Sequence, residues 1–210
     1  VLFNSMIRFG YTTDDFNIAL VTPIPKKGVM KDVSDFRPIS VSTAFASLFE
    51  ALLLKKINFD ELISPNQFGY SKKSSCKHAY FIVNETINYY KNGGSNVKLV
   101  RLDATKAFDK LWRSVLFFKL YGKIDLWVWR AIVSYYYKSK IIVKVNKKKS
   151  EIYKTTEGVK QGGILSAYLF NFFINDLIEE CLGQKIGARI GDTNVSIIGY
   201  CDDILLIRAE

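Results

Sequence analysis

Cysteine, histidine and proline are scarce in this chain, with 3 Cys, 1 His and 4 Pro among 210 residues. Cys76, Cys181 and Cys201 are odd in number, scattered and without metal-ligand spacing, which excludes a disulfide framework and fits free thiols in a reducing compartment. Cys76 and His78 lie close together, but His78 is the sole histidine, and two ligands cannot build a structural zinc site. No apolar run approaches the ~18 residues of a membrane span. There is no low-complexity tract, repeat or obvious linker, so nothing marks independently folding domains. The chain opens at Val1 without methionine or a signal-like segment and ends shortly after Asp203, so it reads as a piece of a larger polypeptide.

What is abundant is apolar and basic. At 49% hydrophobic and 14% aromatic, the chain can bury one large core or two modest lobes. Thirty basic residues against twenty acidic ones leave a formal charge of +10, a balance common in proteins that bind polyanions. The excess is concentrated: residues 138–160 hold eight lysines and two glutamates, with Tyr135, Tyr136, Tyr137 and Tyr153 on or just before the segment. Lysines among aromatics suit a nucleic-acid groove, where cations meet phosphates and rings stack on bases. A solvated hairpin is the plainer reading.

Periodicity predicts a helix over 43–57 capped by Ser42 or Thr43, with Phe45, Leu48, Phe49, Leu52 and Leu53 on one face. A second spans 76–91 and stops at Asn92-Gly93-Gly94. A strand at 97–103 runs into a helix at 106–121 with an apolar stripe of Phe108, Leu111, Trp112, Val115 and Leu116. Asp125 caps a helix through Tyr136. A lysine-rich hairpin follows, turning at 146–149. A long helix runs from Ser166 to about Cys181, and a last hairpin carries Asp202 and Asp203. From residue 97 onward this order predicts an α+β layer with helices on one face of a mostly antiparallel sheet.

Asp202 and Asp203 sit between two apolar runs, where a tight turn would join buried strands. Acidic residues suit turns for local reasons. Two charges at the end of a buried hairpin, however, repel each other and call for a neutralising cation. Asp103 falls at the carboxyl end of another strand, where open sheets place ligands. If the strand ends are neighbours, Asp103 and Asp202 can share two divalent ions about 3.5–4 Å apart, an arrangement suited to phosphoryl or nucleotidyl transfer.

Five strings in order then resemble the reverse transcriptase domain of non-LTR (LINE-like) retrotransposons. They are Pro23-Ile24-Pro25-Lys26-Lys27-Gly28 with Asp35-Phe36-Arg37-Pro38-Ile39-Ser40, Gln67-Phe68-Gly69-Tyr70, Leu102 to Leu111, Gly158 to Phe170, and Tyr200 to Asp203. The resemblance covers nearly the whole chain. It implies a polymerase right hand with fingers over 1–95 and a palm over 96–210, truncated after the paired aspartates with the thumb absent. The implied activity is RNA-directed DNA synthesis, adding deoxynucleotides to a primer 3′-hydroxyl with two Mg²⁺ ions, for which Mn²⁺ can substitute.

Implied roles follow residue by residue. Asp103 and Asp202 are the metal ligands with the backbone carbonyl of Ala104, and Asp203 supports them. Phe108 lies under the incoming sugar and excludes a ribose 2′-hydroxyl, while Gln161 and Gly162 lie beside the nucleotide. Lys26, Lys27 and Arg37 are cations for the triphosphate. Ala167 stands where the family usually has proline, which implies slight loosening at the helix start. Ser71 stands where many relatives have arginine. Lys144, Lys147, Lys148 and Lys149 are the candidate nucleic-acid contacts. The expected partners are an RNA template, a DNA primer and deoxynucleoside triphosphates, within a longer polyprotein, with no membrane and with action in the nucleus. The competing readings are a non-catalytic nucleic-acid-binding remnant and an RNA-directed RNA polymerase, the latter opposed by Phe108. A group II intron-type enzyme is less well matched by Lys106-Ala107-Phe108-Asp109.

Overall fold

The computed structural model describes residues 1–26, 28, 31–72, 74–184 and 186–210. The chain forms two compact units, each drawn from two stretches: Val1–Asn58 with Phe108–Ser166, and Phe59–Ala107 with Ala167–Glu210.

The first unit holds α1 (Leu2–Phe9), β1 (Ile18–Pro25), β2 (Phe36–Ser42) and α2 (Ala44–Lys55), then α5 (Arg113–Leu120), α6 (Leu126–Tyr137), β4 (Lys140–Val145) and β5 (Lys148–Lys154). Its sheet runs β2-β1-β4-β5, with β1 parallel to β4 and the other pairs antiparallel. Thr43 is the N-cap of α2, its hydroxyl accepting from Ala46 N at 3.2 Å. The buried face of that helix is Ala46, Phe49, Glu50 and Leu53, whereas Phe45 and Leu48 are exposed. The predicted stripe is thus rotated, and a carboxylate occupies its centre. Phe49 packs between Phe16 and Tyr135 at ring distances of 5.4 and 5.7 Å, an aromatic core joining residues far apart in sequence.

The helix expected over 106–121 begins only at Arg113. The carbonyls of Phe108 and Leu111 accept from Val159 N and Gly158 N, both at 2.8 Å, so they are engaged across the unit rather than along a helix. Phe108 is half-buried, Trp112 is exposed, and neither belongs to a helical stripe. Asp125 does cap α6, accepting from Trp127 N and Val128 N.

The second unit holds α3 (Phe59–Leu62), α4 (Cys76–Asn92), β3 (Val97–Asp103), α7 (Ser166–Gly183), a short β6–β7 pair (Arg189–Ile190, Thr193–Asn194), β8 (Ile197–Tyr200) and β9 (Asp203–Ala209). Its main sheet is antiparallel in the order β3-β9-β8. Alternation along the strands divides the core. Ile197 and Ile204 pack with Ile174 and Ile178 of α7, while Ile198 and Ile207 pack with Ala79, Ile82 and Val83 of α4. Helices therefore cover both faces, where the sequence predicts one. The alternation of Ile197 and Ile198 between the two clusters sets α7 and α4 on opposite faces.

Candidate active site

In the second unit the antiparallel register sets Asp103 directly opposite Asp203. Paired residues point to the same face, and Arg101, two positions earlier on β3, shares it. Arg101 Nη2 donates to Asp203 Oδ1 at 2.7 Å and lies 3.8 Å from Asp103 Oδ1. The guanidinium is held above its ordinary range by Asp203 first, then Asp103, and less strongly by Asp202. All three carboxylates thus act on one cation. Asp103 and Asp203 are exposed, and Asp202, in the turn, is half-buried.

The turn itself is held from beneath. Cys201 adopts a left-handed φ of 57°, an uncommon conformation for a residue with a side chain. Gln67, 1% exposed, fixes it: its Oε1 accepts from Cys201 N at 2.7 Å and from Gly69 N at 3.0 Å, and its Nε2 donates to Cys201 O at 3.2 Å. Phe68 N donates to Gly199 O at 2.7 Å, Gly199 N to Asn66 O at 2.8 Å, and Asn171 Nδ2 to Gly69 O at 2.6 Å. A Cβ on Gly69 would lie 2.4 Å from Cys201 N, so only glycine permits this approach. Burial pushes the Cys201 thiol up to about 12, reinforced by Asp202, so it stays protonated.

In the first unit the segment 158–165 is anchored on three sides. Ser40 N donates to Gln161 O at 2.7 Å, and Gln161 Nε2 donates to Asp109 Oδ1 at 3.0 Å. Asp109, which accepts this bond, is exposed. Gly162 has φ 113°, and a Cβ there would meet Ser40 O at 2.7 Å. Arg113 is buried and donates to the carbonyls of Gly158, Tyr136 and Thr155, with burial lowering its pKa. Beneath the segment, Lys160 bonds Asn17, Ser42 Oγ (3.1 Å) and the Tyr135 hydroxyl (3.1 Å), and faces Glu50 Oε1 at 3.8 Å. Glu50 accepts from Tyr135 OH at 2.6 Å and Leu165 N at 3.2 Å.

Residues 24–210 match the family model described as reverse transcriptase (RNA-dependent DNA polymerase). The chain belongs to the reverse transcriptase family. Its relatives place it in the LINE-like branch. It is 27% identical over 207 residues to the Pol polyprotein of the type-2 retrotransposable element R2DM of Drosophila melanogaster, covering 98% of this chain and 19% of that protein. It is 26% identical over 216 residues to the RNA-directed DNA polymerase from mobile element jockey of Drosophila funebris, covering 99% and 23%. The chain therefore spans about a fifth to a quarter of these relatives. Apo telomerase from Candida tropicalis shares the fold, with a TM-score of 0.63 at 16% identity over 98% of this chain and 47% of that one.

In this reverse transcriptase domain the other expected site residues lie in the first unit, except Ala104, which is in the second. Lys26 is exposed, its Nζ donating to Ser34 O at 2.8 Å, and Arg37 is exposed on β2 opposite Ile24. Lys27 lies outside the described residues. Ala104 follows the last residue of β3 and is exposed. Lys147, Lys148 and Lys149 are exposed at the hairpin tip, whose turn is Asn146-Lys147 with Asn146 at φ 55°, shorter than predicted; Lys144 is half-buried. Three lysines of the same segment serve other ends: Lys160 is interior, Lys138 pairs with Asp14 at 3.0 Å and Lys140 with Asp15 at 2.9 Å. Tyr135 and Tyr136, expected as stacking rings, are fully buried core.

Sequence reading missed Arg101, Gln67 and Glu50 as working residues. An arginine on an alternate strand position two before Asp103 was a visible signal for the first. The glutamate in the middle of an apolar helix stripe was one for Glu50. Gln67 stands in one of the matching strings, but Cys201, the partner that gives it its role, is 134 residues away.

Among the described residues no three His, Cys, Asp or Glu side chains converge as a preformed metal cluster. Magnesium is ordinarily held by one or two carboxylates together with phosphate oxygens and water, not by an all-protein cage. The exposed Asp103 carboxylate opposite the turn that carries Asp202 offers hard oxygen donors that fit an ion of that kind.

Proposed function

We propose that this domain carries the polymerising site of a LINE-like retrotransposon enzyme, extending a DNA primer on an RNA template with deoxynucleoside triphosphates. The observation that carries the reading is the register of β3 and β9, which sets the first palm carboxylate, Asp103, across from the paired-aspartate turn. Asp103 and Asp202, with the carbonyl of Ala104, are the ligands for two Mg²⁺ ions, and Asp203 is the supporting carboxylate held by Arg101. When bound, such ions lower the pKa of the attacking hydroxyl and stabilise charge on the leaving group. The primer 3′-oxygen then forms its bond to the α-phosphorus as the bond to pyrophosphate breaks, and the hydroxyl proton passes to solvent.

The chain's own residues bind and orient. Arg37, Lys26 and Lys27 meet the triphosphate, Arg37 as a planar bidentate donor and the lysines as point charges. Gln161 and Gly162 offer an amide and an unobstructed backbone beside the nucleotide, and Phe108 borders the sugar. Lys144, Lys147, Lys148 and Lys149 meet backbone phosphates. The division into fingers over 1–95 and palm over 96–210 rests on motif order and is a functional division. No helix among the described residues is long and apolar enough to cross a membrane. Copying RNA into chromosomal DNA places the proposed action in the nucleus.

The test is primer extension by the full-length protein containing this chain. Asp103→Asn and Asp202→Asn each abolish extension while the protein stays folded and still binds nucleic acid. A parent protein that binds nucleic acid yet extends no primer leaves a nucleic-acid-binding remnant as the better description, and extension that survives both changes removes Asp103 and Asp202 from the metal site.

A further inference from the structure

In the first unit Lys138 pairs with Asp14, Lys140 with Asp15 and Lys160 with Glu50. Three further cations converge on one another's side of the unit with no ion pair among the described residues. Arg8 ends α1, and Lys55 and Lys56 end α2, and all three are exposed. They line an open groove of about 750 Å³ together with Asn4, Asp125 and Trp127. Asp125 is the groove's one acid, and its Oδ1 is taken up by capping Trp127 N at 2.8 Å and Val128 N at 3.3 Å. Trp127 is 48% exposed, with the Arg130 guanidinium 5.7 Å from its ring centroid.

A cation at a helix C-terminus is favoured by the helix dipole, which accounts for each of the three singly. It does not account for two helix ends directing their charge to one groove, or for an indole left half in water at its wall. Unneutralised cations beside an exposed aromatic ring are what a single strand requires: charges that track phosphates and a flat face on which a base stacks. The volume lies within the ~300–1,000 Å³ span of small-ligand sites, enough for a nucleotide.

We propose that this groove binds single-stranded RNA, with phosphates at Arg8, Lys55 and Lys56 and a base stacked on Trp127. The choice of RNA rests on the polymerase reading, in which the template is the strand presented unpaired; the groove itself uses none of the residues assigned to nucleotidyl transfer.

The experiment is a salt-series titration of the full-length protein with a single-stranded 20-nucleotide RNA, beside primer extension on a short preannealed hybrid. Replacing Arg8, Lys55 and Lys56 together by Gln lowers the slope of log affinity against log salt by about 2, since each single-strand phosphate contact contributes roughly 0.7. Trp127→Leu leaves the slope alone and weakens binding about 5- to 150-fold, the span of one lost base–aromatic stack, and Trp127→Phe restores most of it. Extension on the short hybrid stays within about two-fold in all of these, which also shows that they fold. An unchanged slope in the triple variant overturns the proposal and leaves the groove to an acidic protein partner. Equal binding by Trp127→Leu and the parent overturns it too, because stacking is then absent. Failure of the polymerase reading looks different: the parent itself extends no primer on the hybrid, whatever the groove binds.

Discussion

Gln67 Oε1 accepts the Cys201 backbone N–H at 2.7 Å inside the second unit, so the turn carrying Asp202 and Asp203 is fixed by a side chain 134 residues away. The same oxygen serves Gly69 N, and the amide nitrogen returns a bond to Cys201 O. A strained turn at a functional site persists where its surroundings over-determine it, and here one buried amide satisfies three backbone groups.

Gln67→Leu leaves two buried N–H groups without an acceptor. Each costs about 1–3 kcal/mol, so a loss of ~2–6 kcal/mol is expected in denaturant melts. Primer extension falls further than stability alone accounts for, because Asp202 and Asp203 lose their fixed position. The kinetic signature is a lower kcat at nearly unchanged KM for deoxynucleotide. Gln67→Glu keeps the acceptor but loses the donor to Cys201 O, and it recovers most of the stability. A Gln67→Leu protein with parental kcat refutes the positioning role.

The carboxylate site was more legible in sequence than its supports. Asp103, Asp202 and Asp203 announce themselves because charge at the end of an apolar run is unusual, and the apolar-rich stretches 97–102 and 204–207 locate the strands. The strand at 97–103 and the helix from Ser166 have the predicted starts. What the pattern could not reveal is where a backbone bonds at long range. The segment 106–112 has helical spacing, yet the carbonyls of Phe108 and Leu111 are engaged by Val159 and Gly158, and tertiary hydrogen bonding overrides the local period. Residues 138–160 likewise look uniformly basic in sequence. Only the fold separates Lys160, buried against Glu50, from Lys147, Lys148 and Lys149 at the hairpin tip.

That interior pair yields a stability prediction. Lys160→Met strands Glu50 as a buried charge and costs about 3–5 kcal/mol, and the added change Glu50→Gln recovers a large part of it. Burial brings Lys160 down to about 8 from 10.5, partly offset by Glu50. Between those values the unfolded chain holds a proton that the folded chain has released, so this group's contribution to stability rises with pH through the window and is lost as pH falls through about 8. The gap between parent and Lys160→Met in urea melts therefore widens from pH 8 to pH 10. A gap that narrows over that range contradicts the burial assigned to Lys160.

The exposed hairpin tip should behave differently from the paired lysines below it. Replacing Lys147, Lys148 and Lys149 by Ala lowers the salt slope of primer–template binding by about 2 to 3 and leaves the melting temperature nearly unchanged. Replacing Lys138 and Lys140, which pair with Asp14 and Asp15, has the smaller effect on that slope. Equal slopes for parent and tip variant would make the hairpin an ordinary solvated edge.

Phe108 is the residue whose two readings the structure separates most. As the first member of a helical stripe it would be core, and trimming it would chiefly cost stability. In the structure it precedes the helix, is half-buried, and uses its carbonyl to hold Val159, next to Lys160 and Gln161. Removing a ring so placed opens space for a 2′-hydroxyl without dismantling a helix. Phe108→Val is therefore expected to keep extension with deoxynucleotides within several-fold of the parent and to gain extension with ribonucleotides. The measurement is extension of one primer on one RNA template with each nucleotide set in turn, beside a melt of both proteins. A folded, active Phe108→Val protein with the parent's full preference for deoxynucleotides would remove Phe108 from the sugar site. A protein that loses stability and both activities together would return it to the core.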